Sequence, residues 1–176
     1  MAEEIKIENV VASASLNVKI DLSKLLTLPG TEYEPEQFPG LVLRMRDPKA
    51  AALIFSSGKI VCTGAKSPEL ARKAIDNVIK NIRSVGIKVK KAANVTIENI
   101  VASTKLDQEL KLNEIAFALP NAEYEPEQFP GLVYRMDDPK VAFLLFGSGK
   151  VVCTGGKSIE DKKRAIDKVE KKLAKL

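Results

Sequence analysis

The sequence has no histidine and no tryptophan, and only two cysteines, Cys62 and Cys153, among its 176 residues. Without histidine, the chain lacks the side chain most often used as a general base and as a metal ligand. Two cysteines are too few for the disulfide framework of a small secreted protein, and they indicate a reducing compartment. These absences disfavour an enzyme and predict no cofactor.

Long apolar runs are also missing. No stretch approaches the roughly eighteen residues that a membrane-spanning helix needs, and no secretory signal is recognisable at the N-terminus. With 45% hydrophobic and 29% charged residues, the composition is typical of a soluble globular protein. We therefore expect a cytoplasmic protein without a membrane partner. The net charge of +5 weakly favours acidic partners.

The chain consists of two copies of one segment. The motif IENVVAS at residues 7–13 returns as IENIVAS at 97–103, and YEPEQFPGLV at 33–42 returns unchanged at 124–133. A third motif, SGKIVCTG at 57–64, returns as SGKVVCTG at 148–155. The second copy carries one additional residue near Leu119. Such a duplication predicts two structural units of one fold.

Two arrangements fit the duplication: two independent domains on a linker, or one body with internal twofold symmetry. The junction at residues 86–94 is short and has none of the Ser/Pro-rich sequence of a flexible linker. A single copy would also have unpaired strands at the edges of its sheet unless the two copies paired with each other. We therefore expect residues 1–90 and 91–176 to be the first and second repeats of one symmetric body.

Each copy reads as strand, short helix, several strands and a closing helix. In the first copy, strands are predicted at 5–13, 41–46, 50–57 and 59–64, with a further short strand at Tyr33–Gln37. A short helix is predicted at 21–28, ended by Pro29-Gly30. This order predicts an α+β fold with a largely antiparallel sheet of about ten strands.

The closing helix of each copy carries its own start and stop signals. Ser67 is a good N-cap, Pro68 suits the first helical position, and Gly86 ends the helix. In the second copy, Ser158 and Asp161 form the pattern of a capping box. The apolar residues between these signals recur at helical spacing, so one side of each helix packs on the sheet.

The strands lack the alternation of polar and apolar residues that is expected when one face of a sheet is exposed to solvent. In the last strand of the first copy, Val61 and Thr63 share one face, while Ile60 and Cys62 share the other. The helices suffice to cover only one face of the sheet. The other face is therefore predicted to be an exposed apolar surface, and such surfaces usually bind something.

These residues resemble the TATA-box-binding protein family, in its archaeal form, over nearly the whole chain. The motifs that carry the resemblance are the two YEPEQFPG segments, the apolar strands followed by SGK, the V-x-T-G-x-K segments and IENIVAS. The resemblance implies an α+β pseudo-twofold saddle, with a ten-stranded antiparallel curved sheet and four helices on the convex face. It implies a general transcription initiation factor that binds and bends the minor groove of the TATA box.

The resemblance assigns four roles on the uncovered face. The residues matched to DNA intercalation are Phe38, Phe55, Phe129 and Phe146. Those matched to hydrogen bonds with bases are Asn9, Asn99, Thr63 and Thr154. Those matched to the apolar floor are Val11, Val101, Val61, Val152, Leu53, Leu144, Pro39 and Pro130. Those matched to phosphate contacts are Arg44, Arg135, Lys59 and Lys150.

The resemblance also implies partners. Glu125, Glu127 and Gln128 match the turn that the family offers to transcription factor B, through which the RNA polymerase machinery is recruited. Because the first copy carries the same turn, neither orientation on DNA is excluded. Without DNA, the apolar face could form a homodimer. The expected location becomes the archaeal nucleoid in the cytoplasm, or the nucleus in a eukaryote.

Other features are interpreted as structural. Phe117 and Phe143 are predicted to lie in the core, and Cys62 and Cys153 to be buried thiols. The basic residues along the closing helices, Lys162 among them, are predicted to form a solvated face. The segment TGGKS at 154–158 is not a phosphate-binding loop, because Val151 stands where the motif needs glycine.

Two other functional classes remain open. One is an accessory domain of a nucleic-acid-processing enzyme, which the lack of any catalytic constellation disfavours. The other is a protein-interaction module that uses the apolar sheet. Such a module would tolerate the loss of Arg44 and Arg135 and would show no salt-sensitive affinity for DNA.

Overall fold

The computed structural model describes residues 4–89 and 94–176. Within these ranges the chain forms ten strands and four helices. The first half contains β1 (Lys6–Ser15), a 3₁₀ helix (Leu22–Thr27), β2 (Thr31–Glu32), β3 (Leu41–Arg46), β4 (Lys49–Ile54), β5 (Lys59–Ala65) and α1 (Pro68–Ser84). The second contains β6 (Thr96–Lys105), α2 (Leu112–Ala118), β7 (Ala122–Glu123), β8 (Leu132–Asp137), β9 (Lys140–Leu145), β10 (Lys150–Gly155) and α3 (Ile159–Ala174).

The described strands are ordered β2-β3-β4-β5-β1 in the first half and β6-β10-β9-β8-β7 in the second. The strand pairs within each half are antiparallel, which confirms the predicted α+β class. The described residues group into two compact units, one of Asn9–Glu98 and one of Asn99–Leu176 with the start of β1.

In the first half, α1 packs against β4 and β5. The Ser67 side chain accepts a hydrogen bond from the Leu70 backbone N–H at 3.1 Å, so the predicted N-cap is confirmed. After the helix, Gly86 adopts φ +91°, a conformation that favours glycine. The apolar side of α1 is buried and consists of Ala71, Ala74, Ile75, Val78, Ile79 and Ile82.

In the second half, α3 covers the sheet in the same way. Ser158 accepts from the Asp161 backbone N–H at 3.1 Å, which forms one arm of the predicted capping box. Ala165, Ile166, Val169 and Leu173 of this helix join the core of the second half. Phe143 is completely buried in that core, as predicted.

The predicted assignment of strand faces is confirmed. Ile60 and Cys62 of β5 are fully buried on the side covered by α1, and Cys153 of β10 is fully buried in the core that α3 joins. Both cysteines are free thiols. The alternate residues, Val61 and Thr63, are only half-buried. We use the term open face for the side of the sheet in each half that is opposite α1 or α3.

Some elements differ from the prediction. Tyr33–Gln37 is not a strand: the ladder in this region is limited to Thr31 and Glu32 of β2, and residues 35–37 form a turn. The Pro35 nitrogen cannot donate to a ladder, which favours the turn. The strand predicted at 50–57 ends at Ile54, because residues 55–58 form the turn into β5. Of the predicted junction at 86–94, residues 90–93 lie outside the described ranges.

Two side chains lie where the sequence did not predict them. Phe117 is 96% exposed on α2 and not in the core, because the buried positions of that short helix are Leu112 and Ile115. Lys162 is 0% exposed and not on a solvated face, because it occupies an inward position of α3. Its ammonium group donates to the Cys153 backbone carbonyl at 3.0 Å. The equivalent residue of the first half is Ala71, which is also buried.

None of the described helices is both long and apolar enough to cross a membrane.

Candidate nucleic-acid interface

The open face of the first half is an apolar surface made by alternate residues of neighbouring strands. Val61 of β5 lies opposite Leu53 of β4, and Leu53 lies opposite Val42 of β3. All three are half-buried, as is Val11 of β1. Their exposure is unusual for branched apolar side chains in strands, and it marks a surface suited to binding.

The open face of the second half repeats this arrangement. Val152 of β10 lies opposite Leu144 of β9, which lies opposite Val133 of β8, and all three are half-buried. Val101 of β6 is half-buried as well. Pro39 and Pro130, the remaining residues matched to the apolar floor, are exposed in the loops that precede β3 and β8.

The polar residues predicted to contact bases form one hydrogen-bonded pair in each half. In the first half, the Asn9 amide nitrogen donates to the Thr63 hydroxyl at 2.9 Å. In the second half, the Asn99 amide nitrogen donates to the Thr154 hydroxyl at 3.1 Å. The sequence predicted these residues individually but gave no indication that they contact one another.

A backbone group fixes the direction of each asparagine amide. The Asn9 carbonyl oxygen accepts from the Gly64 N–H, and the Asn99 carbonyl oxygen accepts from the Gly155 N–H. Gly64 and Gly155 adopt φ +100° and +90°. Since these conformations favour glycine, the T-G dipeptide of each copy supplies both the hydroxyl and the residue that orients the amide.

This geometry leaves donors available. An amide nitrogen carries two N–H groups, and one of them is used by threonine. The threonine oxygen accepts this bond, so its own O–H can donate elsewhere. Each pair can therefore present one N–H and one O–H to a ligand that offers acceptors. The minor groove at A·T pairs offers only acceptors, adenine N3 and thymine O2.

The four phenylalanines matched to intercalation form one pair in each half. Phe38 and Phe55 meet edge to face, with ring centroids 5.8 Å apart and planes at 64°. Phe129 and Phe146 repeat this geometry at 6.0 Å and 64°. Phe38 and Phe129 are each 42% exposed, which is far more than a core phenylalanine allows. Each pair is therefore an apolar cluster with one exposed and one half-buried ring.

Two glycines behind the rings were missed by sequence reasoning. A Cβ atom on Gly40 would lie 2.8 Å from the Phe38 ring and 3.0 Å from the Phe55 ring. Gly131 stands in the same relation to Phe129 and Phe146. The duplicated F-P-G motif contained this signal, because only glycine lets both rings approach the backbone so closely.

The four residues matched to phosphate contacts, Arg44, Arg135, Lys59 and Lys150, are all exposed. Arg44 and Arg135 follow the half-buried valines of β3 and β8 by two residues, so they share the open face. The Arg44 guanidinium lies 3.7 Å from the Glu32 carboxylate, a weak exposed ion pair. Lys59 and Lys150 begin β5 and β10, directly after the phenylalanine-bearing turns.

The acidic turns are exposed in both halves. In the second half, the Gln128 and Phe129 backbone N–H groups donate to the Glu125 carbonyl, which closes a tight turn. Glu125, Glu127 and Gln128 are all exposed on it. The equivalent bonds, from Gln37 and Phe38 to Glu34, close the first-half turn. The two turns are thus structurally equivalent, as their identical sequences predicted.

The thiols are not placed for chemistry. Burial raises the pKa of Cys62 to about 11, and burial also raises the pKa of Cys153 in spite of the nearby Lys162 ammonium. Reactive thiols need the opposite shift. Among the described residues, no three His, Cys, Asp or Glu side chains are grouped so that they could hold a metal ion.

Comparison with known proteins points to one family. The family model described as "Transcription factor TFIID (or TATA-binding protein, TBP)" matches residues 4–85 and 94–176, one match for each copy. A TATA-box-binding protein of Archaeoglobus fulgidus is 54% identical over 98% of this chain and 96% of its own. TATA-box-binding protein E of Halobacterium salinarum is 53% identical over 99% of this chain and 95% of its own.

A solved structure agrees with these matches. The TBP of Methanococcus jannaschii superposes with a TM-score of 0.90 at 52% sequence identity, covering 99% of this chain and 100% of that one. The fold of this chain is therefore a known one. The chain belongs to the TATA-binding protein family of transcription factors.

Proposed function

We propose that this protein is a general transcription initiation factor that binds the minor groove of a TATA-box promoter element. The observation that carries the proposal is the open face of each half: an apolar floor, an Asn–Thr pair with free donors, and an exposed phenylalanine pair at one edge. Residues 1–90 and 91–176 act as two repeats of one DNA-binding body, and each repeat contacts one half of the site.

The chemistry of the face fits A·T pairs and disfavours G·C pairs. The minor groove of an A·T pair shows few polar atoms, so an apolar floor of valine and leucine loses little hydration there. The Asn–Thr donors match its acceptors. A guanine would place its N2 amino group, a donor, against Thr63 or Asn9, and two opposed donors repel.

The phenylalanine pairs bend the DNA. A planar apolar ring that enters between two base pairs replaces part of the stacking that it disrupts, at a cost of about a few kcal/mol for each step. Phe38 with Phe55 acts at one end of the site, and Phe129 with Phe146 acts at the other. Two such insertions kink the duplex towards the major groove and widen the minor groove over the apolar floor.

A bending assay tests the proposal. A TATA-containing duplex is labelled with a donor and an acceptor fluorophore at its ends, and energy transfer is measured with the wild type and with Phe55→Ala and Phe146→Ala. We expect the wild type to bend the duplex and each variant to bend it less. Phe117→Ala is the matched control, since that ring is exposed but lies on α2, and it should bend the duplex normally. Equal bending by all four proteins would reject the role of the phenylalanine pairs in bending.

We further propose that the second acidic turn recruits transcription factor B and, through it, RNA polymerase. Glu125 and Glu127 are exposed carboxylates on a rigid turn, so they suit a basic partner surface. The double variant Glu125→Lys/Glu127→Lys should bind and bend TATA DNA as the wild type does but should fail to retain transcription factor B in a gel-shift assay. The same reversal at Glu34 and Glu36 is the control. Retention of the factor by both double variants would contradict this step.

A further inference from the structure

The last strand of the first half is held on both sides of a residue predicted to contact bases. Cys62 of β5 pairs with Ala12 of β1, the register then shifts, and the two strands pair again at Ala65 and Val10. Thr63 lies between these two pairs. Because paired strands exchange backbone hydrogen bonds, the backbone of β5 is fixed to β1 both before and after Thr63.

The last strand of the second half lacks the second of these pairs. β10 pairs with β6 up to Cys153 and Ala102, while its pairs with β9 continue to Gly155, where the strand ends. Gly156 stands where the first half has Ala65, and it adopts φ +69°, a conformation that alanine rarely takes. Within the described residues 94–176, the ladder between β6 and β10 therefore stops at Cys153.

A side chain from α3 contacts β10 at the point where this ladder stops. The Lys162 ammonium group donates to the Cys153 carbonyl at 3.0 Å and lies 3.9 Å from the Cys153 Sγ. That carbonyl belongs to the peptide bond that joins Cys153 to Thr154. The equivalent residue of α1 is Ala71, whose methyl group cannot make such a bond. The second half thus departs from the first at two positions together, Gly156 and Lys162.

Lys162 occupies a position where a cation is unfavourable. Its side chain is completely buried, so the ammonium group has lost its hydration. It also lies in the first turn of α3, where the helix carries partial positive charge, which the neighbouring Asp161 carboxylate partly offsets. An apolar side chain of the same length would avoid both costs. A residue that breaks local rules beside a candidate site indicates a role in that site.

Thr154 and Gly155, the residues that follow the Cys153 carbonyl, carry both partners of the Asn99 amide. The amide nitrogen donates to the Thr154 hydroxyl at 3.1 Å, and the amide oxygen accepts from the Gly155 N–H at 2.8 Å. These bonds cross from β6 to β10 beyond the last ladder pair of the two strands. A movement of β10 at this point would lengthen both bonds and turn the amide, so a fixed Cys153 carbonyl keeps the amide in place.

We propose that Lys162 is a positioning residue for the Asn99–Thr154 pair. It holds the end of β10 to α3, whereas the pair of Ala65 with Val10 holds the end of β5 to β1. Lys162 does not reach the open face, because it is buried on the side covered by α3. The consequence for DNA rests on the proposed function: an amide that is already fixed loses less conformational entropy when it donates to an acceptor in the minor groove.

Hydrogen exchange of two glycine amides in the free protein tests the positioning. The Gly155 N–H is bonded to Asn99 and the Gly64 N–H to Asn9, so the first half is an internal control. We expect Lys162→Met to raise the exchange rate of Gly155 about three-fold or more and to leave that of Gly64 unchanged. A purely structural effect would have the opposite sign, because removal of a buried charge stabilises the fold and a more stable fold exchanges more slowly.

A double variant supplies the rescue. Gly156→Ala/Lys162→Ala gives the second half the residues of the first half at both positions, so β10 should pair with Ile100 of β6 as β5 pairs with Val10. We expect the exchange rate of Gly155 to return close to the wild-type value. Lys162→Ala alone is the matched control, since glycine still ends the ladder, and it should raise this rate as methionine does.

Binding to a twofold-symmetric TATA duplex tests the consequence for DNA. On this duplex both orientations of the protein are equivalent, so the affinity reports a single complex. We expect Lys162→Met to bind about three- to ten-fold more weakly than the wild type, as when one ordinary hydrogen bond is weakened. The double variant Gly156→Ala/Lys162→Ala should bind like the wild type. The slope of log affinity against log salt should stay unchanged, because no phosphate contact is lost.

The outcomes separate the inference from the function on which it rests. If the wild type does not bind the TATA duplex, the proposed function fails, and the exchange of Gly155 still decides whether Lys162 holds the Asn99–Thr154 pair. If the wild type binds but Gly155 of Lys162→Met exchanges at the wild-type rate or more slowly, Lys162 does not position the pair and the inference is overturned. Faster exchange of Gly155 with an unchanged affinity for DNA would overturn the role of Lys162 in binding.

Discussion

At the scale of single residues, the open face depends on positions where a side chain is absent. Gly40 and Gly131 let two phenylalanine rings meet against the backbone, and Gly64 and Gly155 orient the asparagine amides. These glycines contribute no side-chain chemistry, although the Gly64 and Gly155 N–H groups donate to the amides. They matter because they fix where the rings and the donors point, which is the preorganisation that a specific binding surface needs.

Substitution of one of these glycines should therefore impair DNA bending without unfolding the protein. In Gly131→Ala, the new Cβ would lie 2.8 Å from the Phe129 ring and 3.0 Å from the Phe146 ring, so the ring pair must shift. We expect less energy transfer in the bending assay and an affinity several-fold lower, with cooperative unfolding retained. The matched control is Gly147→Ser, since a Cβ there would lie 3.8 Å from the Leu110 carbonyl oxygen, an ordinary contact, and the first half has Ser56 at this position. Impairment by both variants, or by neither, would contradict this role of Gly131.

The sequence indicated which residues belong to the candidate site, and their roles stay predictions, but it did not indicate which of them contact one another. The positions of the four phenylalanines followed from the duplicated motifs, and the structure brings them together as pairs. The Asn–Thr hydrogen bonds were not predictable, because Asn9 and Thr63 lie far apart in the chain and meet only through the pairing of β1 with β5. The prediction that Phe117 lies in the core was wrong. A seven-residue helix offers too short a pattern to decide which positions are buried.

At the scale of elements, α3 differs from α1 at one inward position. Lys162 occupies the place of Ala71 and donates to the Cys153 carbonyl on β10. Burial lowers the pKa of the Lys162 ammonium, while the Cys153 thiol and the Asp161 carboxylate act in the opposite direction. The bond to the Cys153 carbonyl and a weak one to the Cys153 Sγ at 3.9 Å do not replace the hydration that the ammonium loses. The helix thus carries a destabilising charge that its counterpart lacks.

Replacing this charge should stabilise the second half. Lys162→Met should raise the free energy of unfolding by about 1 to 3 kcal/mol near neutral pH, as measured by chemical denaturation. Because the pKa of Lys162 is lower in the folded state than its ordinary 10.5, the unfolded state binds more protons between the two values. The wild type is therefore stabilised as the pH rises through this window towards 10.5, and the gain from methionine should shrink.

The control for this prediction is Lys163→Met, an exposed neighbour on the same helix. It should change the stability little and with no comparable dependence on pH. A Lys162→Met variant that is less stable than the wild type would show that the hydrogen bond to Cys153 outweighs the cost of burying the charge. A gain that stays constant up to pH 10.5 would show that the buried group does not titrate differently in the two states.

Element boundaries followed from local chemistry where a single residue decides them. Ser67, Pro68 and Gly86 delimited α1 correctly, and Ser158 marked the start of α3. The ends of strands within the sheet were less predictable. Phe55 looks like a strand residue, yet its backbone N–H bonds to the Lys59 carbonyl and its carbonyl accepts from Gly58, which places it in a turn. That turn also presents its ring beside Phe38.

At the scale of the whole molecule, the duplication explains both the binding surface and its limits. Each copy has one long helix and one short helix, which cover one face of its strands and leave the other open. The net charge of +5 is modest, so attraction to DNA depends on where the cations lie and less on their number. Departures from the repeat, such as Arg46 against Asp137, were visible in the sequence. The register of β3 and β8 agrees with the alignment of the two copies and places them at equivalent positions.

The central claim is that the open faces read the minor groove, and base analogues test it most directly. An inosine·cytosine pair presents the minor groove of an A·T pair, because it lacks the N2 amino group, but the major groove of a G·C pair. Affinity is measured for three duplexes: the TATA site, the same site with every A·T pair replaced by inosine·cytosine, and the same site with every A·T pair replaced by G·C. We predict that the inosine duplex binds nearly as well as the TATA site and that the G·C duplex binds at least ten-fold more weakly. Equally weak binding of the inosine and G·C duplexes would show recognition through the major groove and contradict the account.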